Sequence, residues 1–270
     1  MSDRRYAALL CPVCSASPEP ANDSCPGCGR RVRSPGGVVD LLPDDVRTAA
    51  DRFAEEYRRL RVREGWVGED GREDPAGGHP GLWRGRAKGV AEVARIFSRR
   101  LGDAPLLLDI GSGGGWAAGM LAGAEVIAID LLDVQAKHGL SVRGDMRRLP
   151  VRDRAADGVL YAASLHYAPV DAAVREAARV LRPGGLFIEL DSPLYPNAGE
   201  TAKSVARSRT YYAKVGHPSL AAHYHPIDAG VLSQALAGAG LELERLITRS
   251  GWRRRLRAGP ASLVVARRLR

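Results

Sequence analysis

Four cysteines, a glycine turn flanked by acids, and a set of histidines and tyrosines are the residues of this 270-residue chain that can do chemistry. The cysteines come first, as Cys11-Pro-Val-Cys14 and Cys25-Pro-Gly-Cys28. Two C-x2-C pairs separated by ten residues suit two knuckles that face each other and close a tetrahedral four-thiolate site. Structural zinc is the expected occupant, with rubredoxin-like iron as the lesser option. Gly27 and Gly29 are expected to supply positive φ angles in the knuckles. Disulfides are the alternative, and the cytoplasmic location expected for this chain disfavours them. A module this small cannot bury enough apolar surface to fold alone, so metal binding would supply its folding energy.

The second set lies further on. The apolar run Leu106–Ile110 carries Asp109 and leads into Gly111-Ser-Gly113-Gly114-Gly115, while Asp130 and Asp145 each close a later apolar run. A glycine turn after a first strand suits NAD, FAD or S-adenosylmethionine (SAM). The dinucleotide pattern G-x-G-x-x-G needs glycine at position 116, where this chain has Trp116. SAM instead needs partners for an ammonium, a sulfonium, a ribose diol and an adenine. Asp109 can order the turn and meet the ammonium, and Gly111, Gly113 and Gly115 let backbone approach the methionine part. Asp130 can accept from both ribose hydroxyls. Asp145 can accept from the adenine amino group while the Met146 N–H donates to a ring nitrogen, with Leu131 and Met146 on the two faces of the base.

Leu108-Asp-Ile-Gly-Ser-Gly-Gly-Gly115 resembles the first motif of class I SAM-dependent methyltransferases. Asp130 matches that family's ribose acid, and Gly144-Asp145, Leu149-Pro150 and Asp157-Gly-Val are similar to its later nucleoside-binding stretch. Leu181-Arg-Pro-Gly-Gly185 resembles the turn before its fifth strand. The match covers about residues 105–191. Ser112 stands where the family often has cysteine, and Ala156 replaces an aromatic usually found before the fourth-strand aspartate, which removes packing and no chemistry. The resemblance implies methyl transfer from SAM. It also implies a Rossmann-like, doubly wound, mostly parallel sheet of seven strands.

Methyl transfer needs an acceptor held in line with the sulfonium and shielded from water. An O or N acceptor can also need a base. His166, in Ser164-Leu-His-Tyr167 after the fourth strand, is the candidate base, with a purely structural histidine as the competing reading. Glu189 and Asp191 end the fifth strand and can orient an acceptor. Residues 192–228 read as a cap insertion whose Tyr211, Tyr212, His223 and His225 suit a pocket for a ring or planar acceptor.

The elements that must position these groups follow from periodicity. Residues 1–43 form the ribbon, with a strand-like Val38–Leu42 at its end. Residues 44–104 form a helical lead-in, with helical spacing from Asp44 and again over Leu82–Arg100, and a Gly/Pro/acid-rich loop over 65–81. Residues 105–270 alternate strand and helix, which builds a parallel sheet with ligands at the carboxyl ends of its strands. Helices are expected over Trp116–Ala122, Leu131–Lys137, Val170–Leu181 and Ala229–Ala237. Leu241–Ser250 and Ala261–Arg267 read as an edge hairpin around a basic turn.

The formal net charge is +9, and residues 241–270 hold nine arginines against two glutamates. Arginine outnumbers lysine 36 to 4 across the chain, so this excess reads as a solvated Arg-rich hairpin rather than a nucleic-acid surface. No run approaches the roughly 18 apolar residues of a membrane span, and the N-terminus lacks the apolar core of a signal peptide. The layout is similar to bacterial large-subunit rRNA guanine methyltransferases, although those generally use a Cys/His zinc site. Three readings remain: methylation of a small molecule at O or N, methylation of an rRNA or tRNA base, and a non-catalytic zinc- and SAM-binding module. The first is favoured because residues 1–43 lack an aromatic–basic alternation.

Overall fold

The computed structural model describes residues 3–70, 72–73, 79–248 and 262–270. The apolar runs become strands β1 (Val39–Asp40), β2 (Leu106–Ile110), β3 (Glu125–Asp130), β4 (Leu140–Arg143), β5 (Ala156–Ala162), β6 (Leu181–Leu190), β7 (Leu194–Tyr195), β8 (Ile227–Asp228), β9 (Leu241–Ile247) and β10 (Leu263–Arg268). Eight form one sheet in the order β1-β4-β3-β2-β5-β6-β10-β9, and β7 and β8 pair separately. Pairs among β1 to β6 are parallel, while β10 runs antiparallel to β6 and β9. The seven expected strands are present, and β1 of the ribbon adds an eighth at the edge beside β4. The basic turn inside the last hairpin lies largely outside the described residues.

Strands buried on both faces read as continuous apolar runs because each face meets a separate core. Leu106, Leu108 and Ile110 of β2 face one cluster, and Leu107 faces the other. The first cluster is closed by α4 (Val170–Val180), α6 (Ala229–Gly238) and the ribbon residues Leu9, Cys11 and Val32. The second is closed by Val90, Val93 and Phe97 of the helix over Pro80–Arg100. In chain order the remaining helices are α1 (Arg4–Ala8), α2 (Asp44–Arg63), α3 (Pro80–Arg100) and α5 (Ala198–Lys214). Strand order reverses at β2, with β3 on one side and β5 on the other, and this places a crevice at the carboxyl end of β2.

Two expected helices are absent. Trp116–Ala122 forms turns and one 3-10 turn, Ala118–Met120. The glycines at 113–115, 119 and 123 lose too much backbone freedom for a helix, and Gly119 is packed so tightly that a Cβ there would lie 2.6 Å from the His138 ring. Leu131–Lys137 is irregular because its N–H groups are taken by outside acceptors. Leu132 donates to Asp130, Ala136 to the Ser141 hydroxyl, and Lys137 to the Gly114 carbonyl.

The ribbon docks on the sheet by backbone bonds. Leu10 N–H donates to Pro150 O at 3.0 Å, Arg152 N–H to Ala8 O at 2.9 Å, and Leu41 N–H to Arg143 O at 3.0 Å. Its knuckles close through Ser15 N–H to Cys11 O and Gly29 N–H to Cys25 O, both 2.9 Å. Gly29 has the expected positive φ of 73°, but Gly27 does not; in the first knuckle that role falls to Ser15 at 61°. Gly27 is needed for space instead, since a Cβ there would lie 2.8 Å from the Cys14 sulfur.

Asp157 ties ribbon, β2 and β6 together. It accepts from Leu106 N–H at 2.7 Å and Arg4 at 2.8 Å, and pairs with Arg182 at 2.7 Å. Asp157→Ala is expected to cost about 2 kcal/mol, less than a wholly buried pair because both guanidiniums are half exposed. A urea titration measures this, and an unchanged midpoint would remove Asp157 as a structural node.

Candidate active site

The crevice at the end of β2 opens into a cavity of about 930 Å³ with two unlike ends. One end is the glycine turn. Gly111 has a φ of +70°, and a Cβ there would lie 2.3 Å from Ser164 Cβ, so no larger residue fits. The turn is pinned by Gly111 N–H to Ile129 O at 2.8 Å and by Gly113 N–H to the Asp130 carboxylate at 2.7 Å. Gly111, Gly113, Asp130, Leu131, Asp145 and Met146 all line the cavity. Asp145 is chelated by Arg147, whose Nη2 lies 2.6 Å from Oδ2. Gly115 lies behind the turn, where a Cβ would meet Ala136 at 2.7 Å.

Asp109 does not line the cavity. It is buried beneath the turn, and neither of its carboxylate oxygens has a hydrogen-bond partner. A third carboxylate arrives from the lead-in, since Glu73 Oε2 accepts from Gly114 N–H at 2.8 Å. Burial, with the Glu73 and Asp130 charges nearby, pushes Asp109 up to about 7. Burial, with Asp130 beside it, likewise pushes Glu73 up to about 7, against the pull of the Gly114 N–H and Arg86. Asp130 is also raised by burial, although the N–H groups of Leu132 and Gly113 oppose the shift.

The other end is aromatic. His166 is buried and packs on Tyr167 and Tyr224, with ring centroids 4.2 and 5.0 Å away. Phe53 and Tyr57 of α2 stack at 5.5 Å, and Phe53 lies 4.7 Å from His223. Arg61 on the same helix face lies over the Tyr57 ring and donates to the Tyr167 and Tyr212 hydroxyls at 3.1 and 3.2 Å. Burial opposes its charge, and the three phenols and Glu64 outweigh that opposition. Burial pushes Tyr212 up to about 12 and lowers His223 and His225, so the phenol keeps its proton at neutral pH and both imidazoles are neutral. Tyr211, Tyr212, His223 and His225 all line the cavity, as the cap residues were expected to. Glu189 does not: it is buried under the sheet end, accepting from Ser192 N–H at 2.6 Å. Asp191 lines the cavity and pairs with Arg86 at 3.1 Å.

The cysteines converge as expected. Their four sulfurs lie within 4.8 Å of one another, with Cys11 and Cys28 at 3.8 Å and Cys14 and Cys25 at 3.4 Å. Zn–S bonds of about 2.3 Å in a tetrahedron require sulfurs about 3.8 Å apart, so the donor set fits the ion.

Comparison with known proteins bears on the crevice. A family model described as a methyltransferase domain matches residues 108–188. Over these residues the chain is similar to a methyltransferase domain. An uncharacterized methyltransferase of Mycobacterium bovis is 35% identical over 88 residues, covering 29% of this chain and 36% of that protein. The fatty-acid O-methyltransferase of Mycolicibacterium smegmatis is 33% identical over 100 residues, covering 32% and 36%. The chain thus spans little more than a third of the length of these curated relatives. In fold, the chain is similar to the 1,6-didemethyltoxoflavin-N1-methyltransferase of Burkholderia thailandensis, solved with 1,6-didemethyltoxoflavin and S-adenosylhomocysteine bound. The TM-score is 0.50 at 19% identity, over 82% of this chain and 91% of that one.

Around the matched residues, the lead-in and cap supply cavity residues that the motifs do not reveal, among them Glu73, Trp66, Trp83 and Arg86. Phe53, Tyr57 and Arg61 have a signal, four-residue spacing on one helix face, which sequence reading leaves open between covering a substrate site and packing on the sheet. Among the described residues no helix is long and apolar enough to cross a membrane.

The unpaired Asp109 has a measurable cost. Its folded pKa of about 7 exceeds the ordinary 3.8, so the folded chain keeps a proton that the unfolded chain loses. Its contribution to stability is therefore full below about pH 4 and is lost as pH rises to about 7. Asp109→Asn is expected to flatten that decline and to be more stable than the parent by a few kcal/mol at pH 8. Urea titrations of the ligand-free protein from pH 4 to 8 measure it, and parallel curves for the two proteins would refute it.

Proposed function

We propose that this chain is a SAM-dependent methyltransferase acting on an O or N atom of a small molecule bearing a ring or planar group. One observation carries the reading: the glycine turn with Asp130 and the aromatic box around His166 are two ends of one cavity. When bound, SAM supplies an electrophilic methyl group. Gly111 and Gly113 present cavity-lining backbone to its methionine part, Asp130 holds the ribose diol, and Leu131, Asp145 and Met146 take the adenine. The uncompensated carboxylates at the turn suit a cationic ligand, and a dinucleotide pyrophosphate would be repelled there.

At the other end, Tyr211, Tyr212, His223 and His225 hold the acceptor between rings. The packing of α2 against the cap, through Leu60, Tyr212 and Leu220, excludes water from it. His166 removes the acceptor proton. The fatty-acid and toxoflavin-precursor methyltransferases act on small molecules, and that is consistent with this reading. The four cysteines hold one structural zinc, which fixes the ribbon against β4 and Pro150.

Tritiated-SAM assays on a metabolite extract and on total RNA test the acceptor class. Label is expected in small molecules, and label confined to RNA would reverse the assignment. Asp130→Ala is expected to weaken SAM binding at least tenfold by calorimetry. His166→Ala is expected to lower kcat at least a hundredfold with SAM affinity unchanged, and full activity would leave His166 a packing residue. Elemental analysis is expected to return about one zinc per chain, and folded metal-free protein would refute the zinc site.

A further inference from the structure

Glu73 belongs to the lead-in, outside the domain that binds the donor, yet its carboxylate lies on the glycine turn. A Cβ at Gly113 would sit 1.7 Å from Glu73 Oε1, so the carboxylate covers that residue directly, and Oε2 accepts from the next N–H, that of Gly114. The placement is built rather than incidental. Glu73 bridges Val67 across a short turn, Gly68 N–H donates to Arg72 O at 2.8 Å, and Arg72 Nε donates to Gln135 O at 3.1 Å.

The charges facing Glu73 are Asp109 from β2, Asp130 from β3 and Arg86 from α3. Arg86 is committed elsewhere. It pairs with Asp191 at 3.1 Å and stacks over Trp66 and Trp83, at 5.4 and 5.0 Å from the ring centroids. Arg143, which pulls on Asp130, is likewise paired with Asp40 and Asp51. Three carboxylates therefore share a largely buried site whose two nearby cations are each paired with other acids, and the Asp109 oxygens beneath them lack a hydrogen-bond partner. Such a cluster is stable only if its members stay partly protonated or a ligand brings positive charge.

We propose that Glu73 is the counter-ion for the α-ammonium of the methyl donor, supplied by the lead-in rather than by the SAM-binding motifs. The inference rests on the SAM assignment above. It makes the lead-in part of the donor site, in addition to its role as a wall of the acceptor pocket. Binding of a cation beside Glu73 and Asp109 stabilises their ionised forms, so donor binding near pH 7 releases protons.

Calorimetry on the full chain tests this with two probes. S-adenosylhomocysteine keeps the α-ammonium, and 5′-methylthioadenosine keeps the adenosine but lacks both the ammonium and the carboxylate. Glu73→Gln is expected to weaken S-adenosylhomocysteine at least tenfold and 5′-methylthioadenosine less than twofold. Glu73 would repel the ligand carboxylate, so a selective loss can come only from the ammonium. Proton release at pH 7, read from the dependence of binding heat on buffer ionisation enthalpy, is expected to fall in the variant. Glu73→Asp, which keeps the charge, is expected to recover part of the affinity. Equal weakening of both probes, no weakening, or tighter binding by Glu73→Gln would overturn the proposal, the last by showing that Glu73 competes with the ligand. A parent protein that binds neither probe would overturn the SAM assignment itself, and this inference with it.

Discussion

Repulsion among Asp109, Asp130 and Glu73 is the constraint around which the donor end of the cavity is organised. Two of these acids come from adjacent parallel strands, so the sheet fixes their separation and they cannot move apart. Asp130 relieves part of the strain by accepting from Gly113 and Leu132, which also shapes the turn. Asp109 has only the nearby Ala118 N–H to oppose its burial. The turn and the irregular path after β3 both follow from placing poorly neutralised charge where water is scarce.

The aromatic end of the cavity depends on a different kind of contact. Leu60, Tyr212 and Leu220 form a small apolar cluster that joins α2 to the cap, apart from the two cores that hold the sheet. A few buried side chains thus decide whether the two walls of the pocket stay together. Arg61 strengthens the joint by linking Tyr167, beyond the carboxyl end of β5, with Tyr212 on α5. The aromatic end of the cavity is therefore set by elements that pack mainly on each other, while the glycine-turn end is set by the sheet.

What could be read in advance follows the same division. The glycine turn, Asp130, Asp145 and the cysteine pairs were legible because each is a local pattern dictated by backbone geometry or ligand number. The two absent helices were misread because Leu131–Lys137 is governed by bonds to Asp130, Ser141 and Gly114, which residue propensities do not encode. Glu73 was invisible, being one acid in an acid-rich loop whose meaning arises only when that loop crosses the turn. The aromatic face of α2 was visible as a stripe, but a stripe does not say whether it meets a core or a cavity.

The edge strand of the ribbon has a consequence for how the chain folds. Val39 pairs with Val142, and Leu9 bridges Val151, so the ribbon waits for a hundred or more further residues before its partners exist. Contacts so distant in sequence form late and slow the final assembly. Until then the ribbon has only short-range structure, the turns within each knuckle and whatever crosslinks their thiolates. A metal crosslinking the four cysteines would hold the ribbon compact until the edge of the sheet is ready to receive it.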